Sequence, residues 1–162
     1  MDDALNTWET EITNLLKGEG GYDENDLVPD LVQANNIHIK FREDIRTYYG
    51  HEIPAIGVMS FNVAETSDNQ DETQMMIQTV NKGGDLSDMD QVTKSIIWKI
   101  WELLKAQRPN KGNLCLQGQA DDIQDMSADI IHGGIEEQES DDFSDLFVIG
   151  EIRFTIISKG DN

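Results

Sequence analysis

Between Ser87 and Ala106 the apolar residues Met89, Val92, Ile96, Ile100 and Leu103 recur every three or four positions, and Ile97, Trp101 and Leu104 widen the stripe. That period predicts a long helix over 88–106 with one apolar side. Ser87 and Asp90 resemble a capping box at its start. Lys99 and Lys105 complement its negative end, and Pro109 with Gly112 stops it. Such a helix needs an apolar surface to lie on, and the chain supplies one with a different period. Over 147–158, Val148, Ile152, Phe154 and Ile156 face one way, while Glu151, Arg153 and Thr155 face the other. This alternation predicts a half-buried strand. A one-sided helix and one-sided strands in the same chain restrict the fold to helices laid on a sheet.

The remaining segments fit that frame. Asp2 or Asp3 opens a helix over 3–17, with Leu5, Trp8, Ile12, Leu15 and Leu16 on one face, and Gly18, Gly20 and Gly21 stop it. Residues 22–34 read as a loop with a short helical turn around Pro29. Strands are expected over about 37–41, 55–63 and 73–80, with Pro54 at the entry to the second. The polar run Glu65–Glu72 would join the last two into a long hairpin. Leu114–Leu116 reads as a short strand. Ala120–Ile131 reads as a third, weaker helix, because Ile123, Met126, Ile130 and Ile131 share one side at helical spacing. Glu136–Asp145 is an acidic loop, so 119–146 forms an acidic, partly irregular insertion. The expected fold is a single α+β domain of 162 residues, with a mainly antiparallel sheet, a long hairpin and two principal helices on one face.

Charge narrows the partners. Twelve Lys and Arg stand against thirty-two Asp and Glu, a net charge of −20. From Ala120 to Asp145 there are ten acids and no Lys or Arg. A field of this sign repels phosphates and anionic lipid headgroups, which argues against ordinary nucleic-acid or membrane binding. Cys115 stands alone, so no internal disulfide forms. The start of the chain, MDDALNTWETE, lacks the basic and apolar runs of a signal peptide. A reducing cytoplasm is the expected compartment.

Catalytic signatures are missing from the sequence: it contains no Walker-type phosphate loop, no G-x-S-x-G, no H-E-x-x-H and no Cys pair. Gly18-Glu19-Gly20-Gly21 follows a helix, which marks a helix stop and not a phosphate cradle. Cys115 with His38, His51 or His132 would be the only nucleophilic set, and no local signature supports it. Asp85, Asp88 and Asp90 read as helix N-terminal acids. Neither they nor Asp121, Asp122 and Asp125 follow a calcium-loop spacing. No cofactor or metal site is expected, although pooled carboxylates leave room for a non-specific divalent-cation effect. Trp101 is expected in the core with Trp98 at its margin, where Trp98 could anchor an interface.

The order of these elements carries a resemblance. A capped N-terminal helix, a strand, the run Ile53-Pro54-Ala55-Ile56-Gly57-Val58, a hairpin, a long helix over Ser87–Ala106 and a closing strand over Phe147–Ser158 follow one another. This layout resembles the tail terminator proteins of long-tailed bacteriophages, the lambda type included, where a Pro-Ala pair like Pro54-Ala55 also leads into the hairpin. The stretch Leu114–Asp145 is longer and more acidic than that pattern.

The resemblance implies a structural, non-enzymatic virion protein, made in the host cytoplasm and placed at the head-proximal end of the tail. It would form a ring, typically a hexamer, that caps the tail tube, ends its polymerisation and offers the joining surface to a head-tail stopper or connector protein. DNA would pass through the lumen without specific binding, and a membrane plays no part. On this expectation Glu65, Asp68, Asp71, Glu72 and Trp98 would meet a neighbouring subunit or the tube. Asp121, Asp122, Asp125, Glu136, Glu137, Asp141 and Asp142 would face the lumen or the head. Two alternatives are an acidic DNA-mimic inhibitor and another neck or stopper protein of the virion.

Overall fold

The computed structural model of the chain describes residues 2–39, 54–66, 69–109, 114–133 and 146–159, with side chains from Thr7 to Ser158. Helix α1, Asp2–Lys17, buries Trp8, Ile12, Leu15 and Leu16. Gly18 ends it at φ +70, in the left-handed region where a side chain would be strained. There the Gly18 N–H donates to the Leu15 carbonyl at 3.3 Å and the Glu19 N–H to Asn14 at 3.0 Å. These paired bonds are the helix stop expected of the glycine run. Asn25 reinforces it by donating from Nδ2 to the Leu15 and Leu16 carbonyls at 3.3 and 3.2 Å.

Strands β1 (Ile37–Ile39), β2 (Ala55–Glu65), β3 (Gln70–Lys82), β4 (Asp122–Gly133) and β5 (Phe147–Lys159) form one sheet in the order β1-β2-β3-β5-β4. β1 runs parallel to β2, and the other three pairings are antiparallel. Helix α2, Leu86–Ala106, packs with α1 on one face of this sheet. Ile12 and Leu16 of α1 and Ile96, Ile100 and Leu104 of α2 share a core with Ile56, Val58, Met75, Ile77, Ile152, Phe154 and Ile156. The architecture is therefore α+β, with a mainly antiparallel sheet, as the two periodicities imply.

Four local expectations are corrected. Residues 120–131 are not a helix: β4 takes the chain from Asp122 onward, pairing with β5 from Asp122↔Ile157 to Gly133↔Phe147. Leu114–Leu116 is not a strand; a tight turn over Cys115–Gly118 replaces it, with Leu116 and Gln117 at positive φ and the Leu116 side chain fully buried. Asp85, not Ser87, caps α2, its Oδ1 accepting the Asp88 N–H at 3.2 Å. The Gly83 turn, at φ +79, delivers the chain to the helix two residues early. The stripe of α2 also rotates slightly, so that Thr93 is buried and Val92 is exposed.

The hairpin is longer than the apolar pattern suggests. Backbone pairing carries β3 out through Gln70, Asp71 and Glu72, so these polar residues belong to a strand and not to the connection. A bulge between Ser60 and Asn62 leaves Phe61 as the extra residue, 53% exposed. Buried Glu9 of α1 accepts the Ser60 N–H at 3.1 Å and the Ser60 hydroxyl at 2.6 Å, tying the helix to this bulge. The continuation of the first strand over 40–41 and the acidic loop 136–145 lie outside the described residues.

Candidate functional site

Strand register gathers carboxylates that are far apart in sequence. Ala64, Glu72, Ile157 and Asp122 stand side by side across β2, β3, β5 and β4, and Glu65, Asp71 and Ser158 form the next row outward. Asp121 joins them: its N–H donates to the Ile157 carbonyl at 2.7 Å, and its Oδ2 accepts from Gln70 Nε2 at 3.4 Å. One end of the sheet thus carries Glu65, Asp71, Glu72, Asp121 and Asp122. Glu65 and Asp71 are direct cross-strand partners, a like-charge pairing that costs stability and is eased by salt. Arg108 approaches this end, with Nε 3.9 Å from Asp122 Oδ1.

This end unites members of two groups to which the sequence assigned different jobs: the hairpin acids Glu65, Asp71 and Glu72, and the insertion acids Asp121 and Asp122. Asp125 lies slightly further along, exposed at φ +55 inside the β4 bulge between Gln124 and Ser127. Asp68, Glu136, Glu137, Asp141, Asp142 and His51 lie outside the described residues. Among the described residues no group of three or more His, Cys, Asp or Glu side chains is placed to hold a metal ion. The acidic end is a region of negative field.

Trp98 sits elsewhere. It is 63% exposed on α2, while Trp101 is half-buried against the core. Together with Ile97, Lys94, Ala128 and Ile130 they line a largely apolar groove of about 480 Å³ between α2 and β4. Ala128 pairs with Ile152, whereas Asp122 pairs with Ile157. The strand rise therefore puts the groove about 17 Å from the acidic end. The sequence singled out Trp98 but not its partners across the groove, because a helical reading of 120–131 kept Ala128 and Ile130 away from α2.

A polar clamp closes the groove's far side. His132 Nε2 lies 2.6 Å from Asp90 Oδ1, and Lys94 Nζ lies 2.8 Å from Asp90 Oδ2. Lys94 first, then His132, holds the Asp90 carboxyl below the usual carboxylate range. Asp85, Asp88 and Asp90 thus serve as cap, first-turn acid and clamp. Cys115 is buried, and burial, with Asp122 and Asp121 nearby, pushes its thiol up to about 11. A thiol held protonated at neutral pH is the opposite of an activated nucleophile. Burial and a 2.7 Å hydrogen bond to Glu11 likewise raise the Tyr22 phenol.

No helix among the described residues is long and apolar enough to cross a membrane. No family model matches the chain, and no curated protein is significantly similar to it.

Proposed function

We propose that this chain is a structural subunit of a phage virion that closes with copies of itself into a ring on the tail tube. The ring ends tube polymerisation and provides the surface to which the head-side stopper or connector is joined. The supporting observation is the polarised surface: five carboxylates at one end of a rigid sheet, and an exposed Trp98 groove about 17 Å away. A subunit built this way has one region suited to sticky contact with a tail or head-side protein and one suited to facing DNA that must slide past without adhering.

The test is the mass of the purified protein by light scattering at low and high salt and with magnesium, followed by negative-stain imaging. Subunits of charge −20 repel one another, so ring closure is expected to strengthen as salt or magnesium screens them. Closed rings with a central hole support the reading. A monomer–ring equilibrium indifferent to ions counts against it.

One observation favours a second reading. Glu65, Asp71, Glu72 and Asp122 are held on paired strands, and Asp121 next to them by its backbone bond to Ile157, as a phosphate mimic requires. A strict monomer that binds a basic nucleic-acid enzyme, in competition with DNA, would replace the ring with an inhibitor of that enzyme.

A further inference from the structure

β4 is the last strand on its side of the sheet, and no described strand pairs with its outer edge. Edge strands are usually blunted by charge, bulges or shortness. Here the blunting is partial. The bulge at Asp125 and Met126 disrupts only the first part of β4. From Ser127 to Gly133 the pairing with β5 is regular, a length that suits a further strand. Ala128 and Ile130 in this stretch form one wall of the groove whose other wall is Ile97, Trp98 and Trp101. Among the described residues an open backbone edge therefore runs beside an apolar slot, the arrangement by which sheets accept an extended segment: main-chain bonds hold it, and alternate side chains enter the slot.

Charge identifies the occupant. β4 carries Asp122, Asp125 and Asp129 and no Lys or Arg. Lys94, which lines the groove, is already paired with Asp90 at 2.8 Å. A strand added beside β4 would place its own side chains opposite Asp129 and near Asp125, where a cation is favoured and an acid is penalised. Two copies pairing through this edge would set those acids against each other, on chains that each carry −20. The open edge and the groove thus favour a basic segment over a second copy.

We infer that the Ser127–Gly133 edge of β4 and the Trp98 groove form a docking site for an extended, basic segment of a partner protein, added as a sixth strand. Its alternate residues are Lys or Arg facing the β4 acids and aliphatic or aromatic side chains entering the groove. The inference does not depend on ring closure, since one chain carries both the edge and the groove.

The test uses the full chain and a short synthetic peptide alternating Lys with Val. Its controls are a proline-interrupted peptide of equal charge and a counterpart alternating Glu with Val. Binding is read by titration calorimetry and by amide hydrogen exchange. The Lys-Val peptide is expected to bind and to slow exchange across Ser127–Gly133, while both controls fail. Trp98→Ala, at an exposed position, should keep the native circular dichroism and weaken binding by about tenfold or more. Asp129→Lys should weaken it several-fold. Equal binding of the proline-interrupted peptide would reduce the effect to bulk charge attraction and overturn the inference. So would an unchanged affinity in Trp98→Ala. Protection, in the chain without peptide, of those Ser127–Gly133 amides that point away from β5 would also overturn it: concentration-dependent protection with doubled mass assigns the edge to a second copy, and dilution-independent protection means the chain covers the edge itself.

Discussion

Replacing Gly150 by alanine tests how α2 is seated on the sheet. Gly150 lies in β5 directly beneath α2, and its N–H donates to Thr79 Oγ1 at 3.2 Å. A Cβ at this position would stand 2.5 Å from Ile97 Cγ1, 2.7 Å from its Cδ1 and 2.9 Å from Thr79 Oγ1. Carbon atoms rest at about 3.5–4.0 Å, so α2 or the Ile97 side chain must give by about 1 Å. Overpacking of this kind costs about 1–3 kcal/mol. In a chain of 162 residues that corresponds to a fall in Tm of roughly 2–12 °C. Urea unfolding followed by circular dichroism should show a lower midpoint with an unchanged slope. Because Ile97 also lines the groove, the emission of Trp98 and Trp101 should shift in the folded variant. Ile97→Ala alone should cost about 2–5 kcal/mol by opening a cavity. The double variant should be more stable than the sum of the single effects by about 1 kcal/mol, because the added methyl then enters the vacated space. If Gly150→Ala leaves the midpoint unchanged, or the two changes add to within about 0.5 kcal/mol, the close seating of α2 on Gly150 is wrong.

Other outcomes can be checked separately. Glu9→Ala removes the acceptor of two Ser60 hydrogen bonds and should lower stability by about 1.5–3 kcal/mol in urea unfolding, with the largest amide shifts at the β2 bulge. Asp90→Asn should weaken the α2–β4 clamp at neutral pH and remove its loss in acid. The folded-state carboxyl sits below its usual value, so the wild-type advantage is full above about pH 4 and disappears as pH falls through the folded value. An advantage that persists unchanged in stronger acid would contradict the assignment. Cys115, with its thiol near 11, should react with a disulfide reagent at neutral pH far more slowly in the native chain than in urea, and equal rates would show that it is not buried.

Local pattern determined much of this protein. The stripe from Met89 to Leu104 became α2, and the alternation from Val148 to Ile156 became β5, because helical and strand periods state directly which side of an element is buried. Gly18 marked the end of α1, since a left-handed helix stop is a property of one residue and its neighbours. Together these elements were enough to specify helices on one face of a mainly antiparallel sheet. Trp98 could be singled out because two tryptophans three positions apart cannot both enter a narrow core stripe.

Tertiary structure decided the rest. Ile123 and Ile130 are seven residues apart, an interval that matches two helical turns and conflicts with strict strand alternation. The β4 bulge absorbs one residue between Gln124 and Ser127, so Ile123 and Ile130 both reach the helix side of a strand. No local pattern announces such a parity shift; only pairing with β5 imposes it. The extension of β3 into Gln70–Glu72 has the same origin, because backbone bonds to β2 and β5 hold polar residues that by their own preference would form a turn. Register alone brings Glu65, Asp71 and Glu72 beside Asp121 and Asp122, and it alone lays Ala128 and Ile130 against Trp98. Both surfaces are made of residues that meet only when distant strands align, so periodicity could find the elements but not the sites built between them.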